Sequence, residues 1–242
     1  MASTVERREI ETFGRMADGW WDPHGPMAPL HKLNPLRLSF IRDQLCAHFD
    51  RSASAAAPLD GLRLVDVGCG AGLVTEPLKR LGARMTGLDA SDDVIGAARS
   101  HASAMGLKID YRTMTAEDLA ASGERFDAVL ALEIVEHVAD VSAFLEALRA
   151  LTRPGGLVIV STLNRTAKSF ALGIVAAEYM LGWVERGTHD WRKFIRPQEF
   201  ADHLQAAGFD APMWRGMVYD VLSDRWSLSR DTSVNYIGAA RG

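Results

Sequence analysis

Three glycines and one carboxylate in the first half of the chain are spaced as in a nucleoside-binding site. Residues 64–72 form an apolar run that ends in glycines at alternate positions, Gly68, Gly70 and Gly72. Without a Cβ atom, a glycine lets the backbone lie close against a ligand. Asp89 closes the next apolar run, 21 residues after Gly68, a distance at which an acidic side chain binds ribose hydroxyls. The spacing predicts a buried parallel strand, a tight turn and a ribose-binding carboxylate.

The glycine spacing also separates two classes of cofactor. Dinucleotide sites use G-x-G-x-x-G and place a pyrophosphate at a helix N-terminus, whereas this chain has G-x-G-x-G. Asp66, just before the first glycine, would repel a pyrophosphate and favour a cation that carries an ammonium and a sulfonium. S-adenosylmethionine is such a ligand. The sequence therefore favours it over NAD, and favours NAD over a turn that binds nothing.

A second group of polar residues follows the predicted strand 126–132. Glu133, Glu136 and His137 stand where the carboxyl ends of strands line the ligand crevice of an open α/β sheet. If a helical turn forms, the i, i+3, i+4 spacing puts all three on one face. Two carboxylates and an imidazole would suit Mg²⁺ or another divalent cation. The alternative is a metal-free site in which His137 is a general base or a structural residue. We take His137 and Glu136 as candidate catalytic residues.

Composition limits the class of protein and its partners. The 242 residues are 48% apolar, enough for one core of ordinary domain size. A net charge of −4 gives no broad basic face for nucleic acid. Cys46 and Cys69 have no metal or redox spacing. The charged start of the chain is unlike a secretory signal, so we expect a cytoplasmic protein.

Alternating strand and helix patterns predict an α/β fold with a parallel sheet covered on both faces. Residues 1–58 read as an N-terminal helical cap and linker, and residues 59–242 as the main domain, with an insertion at 163–195. Residues 153–156 predict a helix stop and a turn. The predicted strands are 62–67, 83–88, 108–113, 126–132 and 157–162, the predicted helices 72–81, 91–105 and 141–151, and the predicted closing strands 209–213 and 234–239.

The glycine run resembles motif I of the class I methyltransferases, and Asp89 resembles the acidic end of their second strand. The resemblance implies a seven-stranded Rossmann-like sheet, mostly parallel, with an antiparallel last strand. It implies that Asp89 binds the ribose of S-adenosylmethionine and that Gly68 and Gly70 approach its methionine part. Ala116 and Glu117 resemble the loop that flanks the adenine. The Asn/Asp-Pro-Pro-aromatic signature of nucleic-acid and protein amide methyltransferases is missing after residue 132.

Further strings resemble one branch of that family, the O-methyltransferases of ubiquinone biosynthesis, over nearly the whole chain. This resemblance implies a polyprenylated catechol or phenol as acceptor. It also implies that Arg37 binds the cofactor carboxylate, that Leu132 contacts the cofactor, and that Glu133, Glu136 and His137 hold a metal that lowers the hydroxyl pKa. The alternatives are another small-molecule methyltransferase, a nicotinamide oxidoreductase and a non-catalytic membrane-bound scaffold. The strings are WWD at 20–22, PLHKLNPLR at 29–37, STLNR at 161–165, GTHD at 187–190, KFI at 193–195 and VNY at 234–236.

The centre of the insertion, residues 169–184, is apolar nearly all round. It is too short to span a bilayer, which needs about 20 apolar residues. It is either a buried core helix or a lid that lies on an anionic membrane, because basic residues flank it. The resemblance implies the second reading, with peripheral association at the inner membrane, a ubiquinone-biosynthesis complex as partner, and His189 and Asp190 on the lid.

Overall fold

The computed structural model describes residues 19–25, 27–171 and 191–242. In this part of the chain, helices flank an eight-stranded sheet with the strand order β3-β2-β1-β4-β5-β8-β6-β7. The strands are β1 (Arg63–Val67), β2 (Arg84–Asp89), β3 (Asp110–Thr113), β4 (Phe126–Leu132), β5 (Thr152–Leu163), β6 (Met213–Asp220), β7 (Arg225–Ser229) and β8 (Asn235–Arg241).

The helices lie mostly between the strands, as the alternating pattern predicts. Short 3₁₀ turns at Val135–His137 and Trp191–Lys193 add to them. The α-helices are α1 (Ala28–His48), α2 (Thr75–Arg80), α3 (Asp92–Ala104), α4 (Ala116–Ala121), α5 (Val141–Leu151), α6 (Ala167–Ser169) and α7 (Pro197–Ala206).

Both faces of the central strands are buried, which explains their continuous apolar runs. Strands β1 to β5 are parallel to one another. Because side chains alternate along a strand, Val129 packs with α4, α5 and α7 on one face, in a cluster that includes Phe144. Leu130 packs with α1 and α2 on the other face, in a cluster that includes Ile41. The predicted mostly parallel α/β sheet, covered on both faces, is confirmed.

The closing part of the sheet has one strand more than expected. Strand β8 is antiparallel to β5, as predicted for the last strand, and β6 is antiparallel to β8. The prediction of a strand at 209–213 is wrong, because Phe209 is buried in a loop and only Met213 belongs to β6. The eighth strand, β7, pairs with β6 as an edge hairpin.

Several boundaries also differ from the prediction. Helix α2 begins at Thr75 rather than at 72, because the glycine turn occupies the residues before it. Strand β3 begins at Asp110 rather than at 108. The predicted turn at 153–156 lies inside β5 as an irregularity, since the register with β4 passes from Thr152 to Leu157. The division at residue 58 stays a prediction, and residues 172–190 of the insertion lie outside the described part of the chain.

Candidate active site

The candidate site lies at the carboxyl edge of the parallel strands. The ends of β1, β2, β4 and β5 bring together the glycine turn, Asp89, the residues after Leu132, and Ser161 and Thr162. Helix α1 contributes Arg37, whose side chain reaches the segment after β4. Residues from well-separated parts of the chain therefore share one edge of the sheet, as open α/β sheets arrange their ligand crevices.

The glycine turn requires glycine for two reasons. Gly68 and Gly70 have φ values of 70° and 55°, in the left-handed region that side chains with a Cβ atom rarely adopt. A Cβ atom at Gly68 would collide with the side chain of Ile134, and one at Gly70 with the ring of Trp20. The absence of Cβ atoms therefore lets other groups lie directly against the backbone of the turn, as Ile134 and Trp20 do.

Asp89 connects the glycine turn to the start of α3. Its Oδ2 accepts a hydrogen bond from the backbone N–H of Gly70 at 3.2 Å, and its Oδ1 accepts one from Ser91 at 3.0 Å. Burial raises the pKa of the Asp89 carboxyl, although the backbone donors lower it in part. Ser91 in turn caps α3 by accepting from the N–H of Val94. The carboxylate is thus held at the place where the sequence predicts a ribose.

Asp66 is a second buried carboxyl beneath the glycine turn. Burial raises its pKa from 3.8 to about 7, while a hydrogen bond from Thr75 and the charge of Arg37 act in the opposite direction. The hydroxyl of Thr75 donates to Asp66 Oδ2 at 2.6 Å. A cationic ligand near this carboxyl would favour its ionised form.

Asp66→Asn is expected to flatten the pH dependence of the stability of the ligand-free protein. Because the folded-state pKa of about 7 lies above the ordinary 3.8, the stability that Asp66 contributes is fully present below about pH 4 and is lost as pH rises through about 7. Asparagine keeps an acceptor for Thr75 but has no charge. The free energy of unfolding should therefore fall less steeply between about pH 4 and pH 7, as measured by urea titration.

The exposed carboxyl of Asp93 supplies the control for this experiment, because Asp93→Asn removes one acid from the surface of α3. That variant should follow the wild-type pH curve. An Asp66→Asn curve parallel to the wild type would contradict the assignment. Glu136 has a similar shift, so part of the slope should remain in the Asp66 variant.

Arg37, which is buried, and Glu133, which is half-buried, form an ion pair within the site. Arg37 Nη2 lies 2.9 Å from Glu133 Oε1, and the hydroxyl of Ser161 donates to the same oxygen at 2.9 Å. The Arg37 side chain is 4% exposed, and its Nε has no hydrogen-bond partner. Glu133 has a left-handed φ of 51°, a conformation that is held only when its surroundings require it. This arrangement orients the guanidinium and leaves its Nε–H without a hydrogen-bond partner.

Glu136 is buried in the 3₁₀ turn that follows. Its Oε2 accepts from the hydroxyl of Thr162 at 2.9 Å. Burial, and then the charge of Glu133, raise its pKa from 4.5 to about 7, while His137 lowers it. His137 ends the turn and is half-buried. A carboxyl with a pKa near neutrality beside a half-exposed imidazole is suited to holding a proton.

The triplet does not have the geometry predicted for a metal site. The expected helical face is absent, because Glu133 is left-handed and the turn at Val135–His137 is 3₁₀ rather than α-helical. Glu133 already binds Arg37, and Glu136 binds Thr162. Among the residues that the structure describes, no group of three acidic, histidine or cysteine side chains is placed to hold a metal ion. The residues present therefore do not fit a divalent cation here.

The remaining predicted cofactor residues lie near the same edge. Leu132 ends β4, and Ala116 and Glu117 are the buried first residues of α4. Tyr236, the last residue of the VNY string, is fully buried in the core, and its hydroxyl donates to the carbonyl of Ile195 at 2.7 Å. The predicted lid residues 189 and 190 lie outside the described part of the chain.

Three contributors to the site are missing from the sequence-based set. Ser161 and Thr162 lie in the family-like string STLNR, and their hydroxyls donate hydrogen bonds to the carboxyl groups of Glu133 and Glu136. Their position as adjacent hydroxyl residues at the end of the predicted strand 157–162 was the available signal. Trp20, which lies against the glycine turn, had no signal beyond its place in the WWD string.

Comparison with known proteins identifies the fold and the family. A family model described as a methyltransferase domain matches residues 38–211. The fold is similar to magnesium protoporphyrin IX methyltransferase from Synechocystis, with a TM-score of 0.65 and 21% identity over 96% of this chain and 94% of that one. It is also similar to a possible histamine N-methyltransferase from Thermotoga maritima, with a TM-score of 0.63 and 19% identity over 96% and 99% of the two chains.

Curated relatives are much closer in sequence. A ubiquinone biosynthesis O-methyltransferase from Cereibacter sphaeroides is 54% identical over 98% of this chain and 97% of its own. One from Nitrobacter winogradskyi is 55% identical over 98% of this chain and 91% of its own. At this identity and coverage, the chain belongs to the ubiquinone biosynthesis O-methyltransferase family.

Proposed function

We propose that the protein transfers a methyl group from S-adenosylmethionine to a hydroxyl of a polyprenylated catechol or phenol in ubiquinone biosynthesis. The observation that carries this proposal is the juxtaposition at one sheet edge of the glycine turn held by Asp89 and the buried Glu136 beside His137. The first group suits a nucleoside cofactor, and the second suits removal of a hydroxyl proton. The name shared by the close relatives supports the acceptor class.

In this proposal different protein groups bind each part of the cofactor. Asp89 binds the ribose, while Gly68 and Gly70 let the backbone approach the methionine part. The free Nε donor of Arg37 supports its pairing with the cofactor carboxylate. The other proposed contacts are Ala116 and Glu117 at the adenine, and Leu132.

The chemistry requires a proton acceptor close to the acceptor hydroxyl. S-adenosylmethionine supplies a methyl carbon bound to a sulfonium; the hydroxyl oxygen bonds to that carbon as the carbon–sulfur bond breaks, which leaves S-adenosylhomocysteine. A phenolic hydroxyl has a pKa of about 10, so proton removal assists the attack. His137 takes the proton in this proposal, and the carboxylate of Glu136 stabilises the imidazolium that results.

A comparison of acceptors tests the proposed function. The purified full chain would be incubated with S-adenosylmethionine and a short-chain prenylated catechol. A second incubation would use the same prenylated ring with an amino group in place of each hydroxyl. We expect a methoxy product from the catechol and no methylated amine, as detected by mass spectrometry. Methylation of the amine but not of the catechol would contradict the proposed acceptor.

Peripheral association with an anionic inner-membrane surface is part of the proposal, because a polyprenyl chain is itself lipid-soluble. No helix in the described residues is long and apolar enough to cross a bilayer. The second half of β6 extends past β8, so the β6–β7 hairpin continues beyond the carboxyl edge of the sheet. Its tip exposes Val221 by 78% and Leu222 by 98%, which supports a lipid contact on the catalytic side.

Replacing Val221 and Leu222 together with serine is expected to weaken binding to anionic liposomes about tenfold, because two aliphatic side chains lose their burial in lipid. Met213→Ser provides a matched control, since Met213 is 54% exposed at the opposite end of β6. Liposome flotation measures the effect. Equal flotation of the double variant and the wild type would contradict a contact at the hairpin. The lid at 163–195 and a ubiquinone-biosynthesis complex remain the other proposed contacts.

A further inference from the structure

A short segment before α1 lies directly over the glycine turn. We call residues 19–25 the tryptophan strap. Trp20 is 8% exposed and packs in a small cluster with Ala71, Leu73 and Val94. Its ring lies so close to Gly70 that any Cβ atom there would collide with it. The indole therefore lies against the backbone of the same turn that the proposed cofactor approaches.

Trp21 anchors the strap to both the turn and α3. Its Nε1 donates to the carbonyl of Ala71 at 3.0 Å. Its ring stacks on His101, with centroids 3.6 Å apart and planes 7° from parallel. The ring of His31 meets Trp21 edge-on at 6.4 Å, and His31 Nε2 lies 2.8 Å from the carbonyl oxygen of Trp20. Four contacts thus define the position of two adjacent indoles.

His101 is itself held from behind by a buried carboxyl. Its Nδ1 lies 2.8 Å from Oε1 of Glu76. The Glu76 residue is 1% exposed. Glu76 belongs to α2, the helix that follows the glycine turn. Trp21 is therefore held to this part of the chain twice, directly through Ala71 and indirectly through His101 and Glu76. A surface loop packed only for stability has little need of a buried carboxyl group behind its anchor, since burying a polar group is costly.

We propose that Trp20 is a cofactor-contacting residue that closes the site over Gly70, and that Trp21, His101 and Glu76 position it. This inference rests on the proposed cofactor site at the glycine turn. Because Gly70 has no Cβ atom, the indole of Trp20 and the proposed cofactor can both lie against the same stretch of backbone. The indole removes water from the bound cofactor and adds apolar contact area.

Binding of S-adenosylhomocysteine to the full-length chain tests the role of Trp20. Trp20→Ala is expected to lower the affinity about tenfold or more, and Trp20→Phe by less, because a smaller ring keeps part of the contact. Trp226→Ala is the matched control, because Trp226 lies in β7. Cofactor binding should also change the tryptophan fluorescence of the wild type and the Trp226 variant, but much less that of the Trp20 variants. Thermal unfolding without ligand confirms that each variant is folded.

The positioning chain has a separate readout. His101→Ala should weaken binding of S-adenosylhomocysteine several-fold, whereas His101→Phe should restore most of it, because phenylalanine keeps a ring beneath Trp21. If the folded variants Trp20→Ala and Trp20→Phe bind S-adenosylhomocysteine as tightly as the wild type does, the inference is overturned. Equal weakening by His101→Ala and His101→Phe would overturn the positioning role. A wild-type chain that fails to bind S-adenosylhomocysteine would count against the cofactor site itself.

Discussion

Asp89→Ala is expected to weaken binding of S-adenosylmethionine about 100-fold or more. The carboxylate is proposed to accept hydrogen bonds from both ribose hydroxyls, and each bond to a charged group contributes about 1.5–3 kcal/mol. The same side chain accepts from the backbone of Gly70 and Ser91, so its loss also loosens the turn that approaches the cofactor. Isothermal titration calorimetry with the purified protein measures the change directly.

Asp89→Asn separates the charge from the shape of the side chain. Asparagine keeps one acceptor oxygen, so the loss of affinity should be smaller, about tenfold. Asp118→Asn is the matched control, because Asp118 is exposed in α4. Unchanged affinity in Asp89→Ala, with an unfolding transition like that of the wild type, would refute the ribose assignment.

His137→Ala is expected to lower kcat about 10²- to 10⁴-fold, which is the usual contribution of a positioned general base. The affinity for S-adenosylmethionine should change little, because no cofactor group is assigned to His137. Single-turnover methyl transfer measures the first quantity and calorimetry the second. A kcat within about threefold of the wild type would contradict the role of His137 as the base.

Glu136 gives the same proposal a pH signature. Its pKa is raised to about 7, so its carboxylate form, which stabilises the imidazolium, is lost as pH falls through about 7. The rate of the wild type should therefore rise with pH across that value. Glu136→Gln should remove the part of this rise that follows the ionisation of Glu136 and lower the plateau, because glutamine can still accept from Thr162 but has no charge. A Glu136→Gln profile that rises as the wild type does would assign the ionisation elsewhere.

The sequence alone predicts those parts of the fold and of the site whose pattern lies within a short stretch of the chain. The glycine turn and Asp89 follow from spacing within 26 residues, 64–89, because a strand, a turn and a helix of the βαβ unit each leave a short pattern. The strands β1, β2 and β4 were predicted within one or two residues for the same reason. Their continuous apolar runs have no other plausible place than a sheet buried on both faces.

The contacts that complete the site join distant parts of the chain. Arg37 and Glu133 are 96 residues apart, and Trp21 and His101 are 80 apart. Nothing in the local pattern of either residue indicates its partner. Only the fold brings α1 and the strap onto the edge of the sheet. Composition alone therefore reads Arg37 as a surface charge, although it is buried.

Two local expectations failed for reasons of packing. The i, i+3, i+4 spacing of Glu133, Glu136 and His137 predicts a common helical face, but no such face forms because Glu133 has a left-handed φ and the turn at Val135–His137 is 3₁₀. Strand β7 escaped prediction because it is only five residues long and its side chains are exposed or half-buried, so the alternation of Trp226 and Leu228 with polar neighbours is too short to stand out. Its pairing with β6, rather than its own pattern, makes it a strand.

The most direct test of the account is transfer of a labelled methyl group from S-adenosylmethionine to a short-chain prenylated catechol, with Mg²⁺ and with a strong chelator. Because Glu133 and Glu136 are engaged by Arg37 and Thr162, we expect a labelled methoxy product in both conditions, and a much slower reaction with His137→Ala in both. No methoxy product in either condition, from protein that binds the cofactor, would contradict the proposed reaction. Product only with Mg²⁺ would contradict proton removal by His137 and restore the metal-assisted alternative.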